Sequence, residues 1–192
     1  MNNLYMNNTY KTSSLYSVVE VMVNDKSFNG YDLVVINLNN LVVDDMEKMF
    51  SVISYTIKNG GNIIIITNNN IDDVNLNDIL TNKNLWKKQH TIIYKSQIKH
   101  TNNISSGFSY IYWYSDSYRK NDPEPTYNEL VENDNLISDL WSDIDSNIKL
   151  YERIIKMFTN ENEYVFNPCI DDDELHITCE KLNRNYIGIN YG

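Results

Sequence analysis

Four consecutive acids, Asp171-Asp172-Asp173-Glu174, are the densest run of chemically capable side chains in the sequence. Carboxylates are the hard oxygen ligands that divalent cations prefer, but four in a row at a helix start cannot all aim at one ion. The run is therefore read as capping residues on a solvated helix N-terminus, with Asp171 and Glu174 as a capping box. The pairs Asp44-Asp45 and Asp72-Asp73 are read the same way. His90, His100 and His176 are scattered, with no Cys or acid at ligand spacing, so no metal site is expected. Two cysteines are too few for a disulfide scaffold or a zinc module. Cys179 shares a helix face with Leu175 and Leu182 and is expected in the core. Cys169 falls at a strand end, where exposure is expected but no neighbouring His or Lys would activate it.

A second feature is electrostatic. From Ile79 to Ser115 there is no acid, and Lys83, Lys87, Lys88, Lys95 and Lys99 give +5 within a chain of net charge −10. With Trp86, His90 and Tyr94 interleaved, the strip suits a nucleic-acid patch. A solvated lysine face on a hairpin is the plainer reading. The stretch 116–145 carries nine acids against Arg119 and Lys120, together with Pro123 and Pro125. It reads as an acidic surface excursion able to mask the lysines or meet a basic partner. In FSYIYWY, Tyr110, Tyr112 and Tyr114 fall on one side of a strand and Trp113 on the other, the pattern of a strand buried on both faces.

Length and composition set the frame for these residues. A chain of 192 residues with 42% hydrophobic content fits one domain with a real core. The 31 Asn, 23 Ile and 15 Tyr, against no Ala, point to an AT-rich genome such as that of a virus or a small microbe. Net acidity argues against a globally basic nucleic-acid binder. The polar N-terminus has no apolar signal region, and the longest apolar run, Ile63 to Ile66, is far short of a membrane span. A soluble protein of a reducing intracellular compartment, with no membrane partner, is expected.

The elements that would position these residues alternate. Residues 1–14 read as a polar leader, and 15–192 as one domain. LYSVVEVMV (15–23) is a candidate strand. Asn29-Gly30 marks a turn before YDLVVI (31–36), a buried strand. Met46, Met49, Phe50, Ile53 and Ile57 describe an amphipathic helix, which Asn59-Gly60-Gly61 is expected to stop before the strand NIIIIT (62–67). TIIYK (91–95) and FSYIYWY (108–114) read as further strands, followed by a helix from Ile148 to Phe158, a strand at 164–166, a helix from Asp171 to Leu182 and a strand at 186–189. Strand, helix, strand in succession predicts an α/β fold with a parallel sheet.

The last 45 residues resemble the C-terminal end of amino-type DNA methyltransferases, which methylate adenine N6 or cytosine N4, in the arrangement that places the catalytic motif before the cofactor motif. Leu150, Glu152-Arg153-Ile154-Ile155, Pro168, Leu182, Arg184 and Tyr186-Ile187-Gly188-Ile189 match the family's scaffold phrases. YDLVVINLNN stands where those enzymes have a strand ending in DPPY, IKNGGNIIIIT resembles the strand that follows, and GFSYIYWYSDS and LISDLW resemble later phrases. The resemblance spans about 15–190. It implies a Rossmann-like methyltransferase fold: a doubly wound, mostly parallel sheet with an antiparallel hairpin.

The same resemblance implies a lost chemistry. In the family, the acid of DPPY polarises the target amine and the aromatic stacks on the flipped base. Those positions are Asn37, Leu38, Asn39 and Asn40 here, with no acid, proline or ring. The family's cofactor loop follows its strand with an acid and then a Gly-Ser-Gly, whose glycines let S-adenosylmethionine approach the backbone. Here those positions are Asn167 and then Asp171, Asp172 and Asp173, and the ribose-binding acid of the next strand is Asn190. S-adenosylmethionine binding is expected to be lost. The reading is a pseudoenzyme that serves as a protein-interaction or regulatory subunit, pairing with another protein or with itself. Two alternatives remain: a non-catalytic nucleic-acid binder or acidic decoy, and an active methyltransferase with divergent motifs.

Overall fold

Apolar runs with no polar face suit the middle of a parallel sheet, and the computed structural model places YDLVVIN and IKNGGNIIIIT there. The structure describes residues 8–11, 29–40, 46–68, 86–95, 107–116, 139–169 and 173–190. In chain order these hold β1 (Asn8–Lys11), β2 (Tyr31–Asn37), α1 (Met46–Thr56), β3 (Ile57–Thr67), β4 (Trp86–Lys95) and β5 (Phe108–Asp116). They continue through β6 (Leu140–Trp141), α2 (Asn147–Phe158), β7 (Tyr164–Asn167), α3 (Glu174–Lys181) and β8 (Asn185–Asn190). The strands form one eight-stranded sheet in the order β1-β8-β7-β2-β3-β5-β4-β6. Among the described strands only β5 runs against its neighbours, antiparallel to both β3 and β4, which is the expected hairpin in a mostly parallel sheet.

Helices cover both faces. α1 sets Met49, Phe50 and Ile53 against Val34, Ile36, Ile63 and Ile65. On the opposite face α2 and α3 set Leu150, Tyr151, Ile154, Ile155, Leu175 and Cys179 against Leu33, Val35, Ile64 and Val165. Alternate residues of each central strand therefore enter different cores, as a doubly wound fold requires. The aromatic strand behaves as its pattern predicts: Tyr112 and Tyr114 lie in the α1-side core with Tyr110 against it, while Trp113 packs on the other side with Phe158.

Several expectations need correction. Asn8–Lys11, inside the expected polar leader, is a strand paired in parallel with Ile187–Asn190. An edge strand held by backbone bonds on one side needs no apolar signature, so its sequence did not announce it. Asn59-Gly60-Gly61 does not stop the helix, because α1 ends at Thr56 and β3 begins at Ile57. The glycines instead sit where the β2–β3 register jumps from Tyr31↔Ile57 to Leu33↔Asn62. Gly60 has φ +78° there, and a Cβ on Gly61 would lie 2.9 Å from the Tyr31 carbonyl oxygen. α3 is shorter than expected and capped by Asp173, which makes no side-chain cap bond. The capping box fails because Glu174 is the first helical residue rather than the third. The candidate strand 15–23 and most of the acidic excursion lie outside the described residues. The excursion's end is β6, which lies beside β4, followed by the Ser146 N-cap, whose Oγ accepts from the Lys149 N–H.

Three charged residues of the phrases shared with the resembled family, Glu152, Arg153 and Arg184, turn out to be braces. Arg184, only 8% exposed, donates from its guanidinium to the Thr159 carbonyl at 2.9 Å, the Leu182 carbonyl at 2.5 Å and Thr159 Oγ1 at 3.3 Å. One cation thus satisfies carbonyls at the negative ends of both α2 and α3. Asn183, with φ +58°, turns the chain after α3, and the Arg184 N–H returns to the Cys179 carbonyl at 2.8 Å. Arg153 pairs with Asp143 through two bonds (3.0 and 2.5 Å) and lies 5.0 Å from the centre of the Trp141 ring, fastening the β6 segment to α2. Glu152 meets Lys156 at 3.2 Å and Lys181 at 3.5 Å, bridging α2 and α3.

Arg184→Ala removes three charge-assisted bonds and strands buried carbonyls, so it is expected to cost about 3 kcal/mol in urea unfolding, against less than about 0.5 for exposed Lys181→Ala. Hydrogen bonding from Lys156 holds Glu152 below the usual carboxylate range, and Arg153 does the same for Asp143. Because their folded values lie below the unfolded ones, their stabilisation is present above about pH 4 and is lost as pH falls through the folded values. Replacing both acids with their amides, Glu152→Gln with Asp143→Asn, should flatten the acid limb of a stability–pH curve.

Candidate functional site

β2 passes through α1 to β3 on one side, and β7 passes through α3 to β8 on the other. Strand order therefore reverses between β7 and β2, and sheets of this kind bind ligands beyond the carboxyl ends of their strands at such a point. The residues singled out in the sequence end up there. Asn37 closes β2, Asn167 closes β7 and Asn190 closes β8, while β3 ends at Thr67 with Asn68 next.

The turn after β2 is a short 3-10 segment, Leu38–Asn40, organised by side-chain amides. Asn37 Oδ1 accepts the Asn39 N–H at 3.2 Å, the local bond by which Asn competes with regular backbone pairing. Asn39 Oδ1 in turn accepts the Asn68 N–H, and Asn68 Oδ1 accepts the Ser109 hydroxyl at 2.5 Å. Ser109 also hydrogen-bonds Tyr94, whose phenol is pushed up by burial and partly offset by that bond. A polar chain thus runs from β2 across β3 to β5 and β4. Neighbouring strand ends are its only prior signal, because no sequence spacing relates Asn39 to Asn68 or Ser109.

The turn after β7 repeats the device. Asn167, 3% exposed, accepts the Cys169 N–H on Oδ1 at 3.0 Å. Cys169 itself is buried rather than exposed, and its thiol donates to the Met49 sulfur of α1 at 3.6 Å. The strand-end position suggested solvent, but α1 closes over it. Asp173 is exposed at the start of α3, Asp171 and Asp172 lie outside the described residues, and Asn190 is placed by its backbone alone. Cys179 is core as expected, its thiol raised well above the ordinary range by burial. His176 stacks on Tyr186 at 4.7 Å and faces Glu180 at 3.4 Å. Among the described residues no His, Cys, Asp and Glu gather in a group able to hold a metal ion, and no helix is long and apolar enough to cross a membrane.

The lysine strip is placed only in part. Lys87 and Lys88 occupy β4 opposite Ser115 and Tyr114, and Lys95 is exposed opposite Phe108. Lys83 and Lys99 lie outside the described residues.

Fold and site define a doubly wound α/β domain whose candidate site lies at a strand-order reversal. The DNA methylase family model matches residues 26–192, and the chain belongs to that family. Solved structures agree at the level of fold. The M1.HpyAVI–SAM complex is 17% identical, with TM-score 0.72 over 96% of this chain and 92% of that one. TTHA0409 from Thermus thermophilus, assigned as a DNA modification methylase, is 16% identical with TM-score 0.68 over 96% and 89%. The cytosine-N4-specific PvuII DNA methyltransferase is 14% identical with TM-score 0.66 over 96% and 82%. No curated protein matches the chain.

With both thiols buried, a disulfide-exchange reagent should titrate neither Cys169 nor Cys179 rapidly in the native protein and both in denaturant. A fast native thiol that disappears in Cys169→Ser would contradict the placement of that residue.

Proposed function

We propose that the chain is a non-catalytic member of its family, a pseudoenzyme that retains the fold and acts as a protein-interaction or regulatory subunit. The closed amide chain from Asn37 through Asn39 and Asn68 to Ser109 carries this reading. Where the resemblance places an acid, two prolines and a ring, the chain supplies Asn37, Leu38, Asn39 and Asn40. The carbonyl oxygens of Asn37 and Asn39 are engaged by backbone N–H groups rather than offered to a substrate amine. A neutral amide also cannot take up the proton that leaves an amine on methylation.

The cofactor side supports the same reading. Asn167 stands at the acid position and engages its Oδ1 with Cys169. Asp173, at the second glycine of the Gly-Ser-Gly the resemblance places at 171–173, has φ −90° and ψ −1° as the α3 N-cap. Any L-residue adopts that conformation, so neither the backbone conformation nor a missing side chain favours close approach of a cofactor at this position. These residues do not fit S-adenosylmethionine, whose methionine carboxylate would also meet acids at Asp171–Asp173. The matching family phrases, by contrast, supply core residues and the helix braces Glu152, Arg153 and Arg184.

Incubation with tritiated S-adenosylmethionine and unmethylated DNA is expected to leave the DNA unlabelled. Incorporation that is abolished by Asn37→Ala would overturn the proposal.

A further inference from the structure

Two asparagines, Asn29 and Asn59, are each followed by glycine, and the fold brings the two pairs to one place. Gly30 packs against the main chain of Thr56, Ile57 and Lys58, directly before Asn59-Gly60. Their surroundings differ. A Cβ on Gly30 would meet the Thr56 carbonyl oxygen at 2.8 Å and the Lys58 nitrogen at 3.0 Å, so neighbouring main chain hems in the Asn29–Gly30 peptide. Asn59, by contrast, is exposed, and Gly60 is half-buried at φ +78°. The β2–β3 register runs from Tyr31↔Ile57 to Leu33↔Asn62, and the β3–β5 register begins at Asn62. Lys58 to Gly61 therefore bulge out of the ladder, four residues facing Asp32 alone, and among the described strands neither Asn59 nor Gly60 has a register partner.

We propose that Asn59-Gly60 is a self-modification site, at which the folded chain converts asparagine to isoaspartate through a succinimide. The proposal is independent of the non-catalytic reading. The Gly60 nitrogen forms a bond to Asn59 Cγ, the Cγ–Nδ2 bond breaks, and the side-chain nitrogen leaves as ammonia with the proton that Gly60 gave up. Glycine suits the attacking position because no Cβ obstructs closure of the ring and its backbone turns freely. Water then opens the ring. Breaking the bond from nitrogen to Cγ gives aspartate, and breaking the bond to the main-chain carbonyl carbon gives isoaspartate, with the chain rerouted through Cβ and Cγ. Water enters, ammonia leaves, and a carboxylate appears next to Lys58, the partner of Asp32. Isoaspartate lengthens the main chain by a carbon atom. A bulge that already carries surplus residues absorbs that length while the flanking pairs keep their register, so the modified chain stays folded.

The test is residue-level peptide mapping by mass spectrometry of the folded full chain aged in mildly alkaline buffer, with a urea-unfolded sample aged alongside. In the folded chain, acid is expected to accumulate at position 59 at least about fivefold faster than at position 29, most of it as isoaspartate. The unfolded chain should lose that preference, because both asparagines have the same successor. Asn59→Gln, whose longer side chain must close a larger ring, should slow acid gain at that position at least about tenfold. A urea transition checks that the variant folds, and the comparison of positions 59 and 29 in the unaltered chain is decisive without it. Acid gain at position 59 no faster than at 29 in the folded chain, undiminished gain in folded Asn59→Gln, or loss of the urea transition as Asn59 converts would each overturn the proposal.

Discussion

The seam between β2 and β7 joins strands more than a hundred residues apart in sequence, and everything near the candidate site is hung from it. Leu33 and Val34 pair with Val165 and Phe166, and the rings of Tyr31 and Phe166 stack at 4.3 Å with both residues fully buried. At the opening of the seam a single carboxylate gathers three strands. Asp32 accepts Lys58 of β3 on both oxygens at 2.7 Å and the Tyr164 N–H of β7 at 2.8 Å. Gly30 lets the chain turn into β2 just before it, with φ +92° and room for no Cβ, which would lie 2.8 Å from the Thr56 carbonyl. With the strand starts tied together, their far ends must emerge side by side, and that places Asn37 near Asn167.

Two kinds of constraint then act on the family's phrases. Arg184 is tied to the ends of α2 and α3, Arg153 to Asp143 next to β6, and Glu152 to Lys181 of α3, so each depends on partners elsewhere in the chain. Residues at the strand ends need only satisfy their own turns. Asn does this at both places, with Asn37 and Asn167 each accepting the N–H two residues on. The amides therefore keep the local shape of a loop without the acids that chemistry would require. On the proposed reading, fold and function separate along a physical line: the family's multiply bonded residues are present, and its strand-end residues are replaced.

Much of this was legible in the sequence. The buried strands at 31 and 62, the α2 helix, the two-faced aromatic strand and the core position of Cys179 all follow from periodicity and from the absence or presence of a polar face. What escaped was non-local or carried by backbone. Asn8–Lys11 joins the sheet through main-chain pairing that polar side chains do not advertise, and Gly60-Gly61 marks a register jump instead of a helix end because its partner strand lies before α1. The burial of Cys169 depends on α1, about 120 positions away, and the roles of Ser109 and Asn68 depend on which strands end together.

The central claim is that the methyltransferase fold persists without its cofactor site, and calorimetric titration of the folded chain with S-adenosylmethionine tests it most directly. The account predicts no saturable heat with a protein whose urea transition shows it to be fully folded. Micromolar binding, altered by substitution of Asn167 or of Asp171–Asp173, would contradict it.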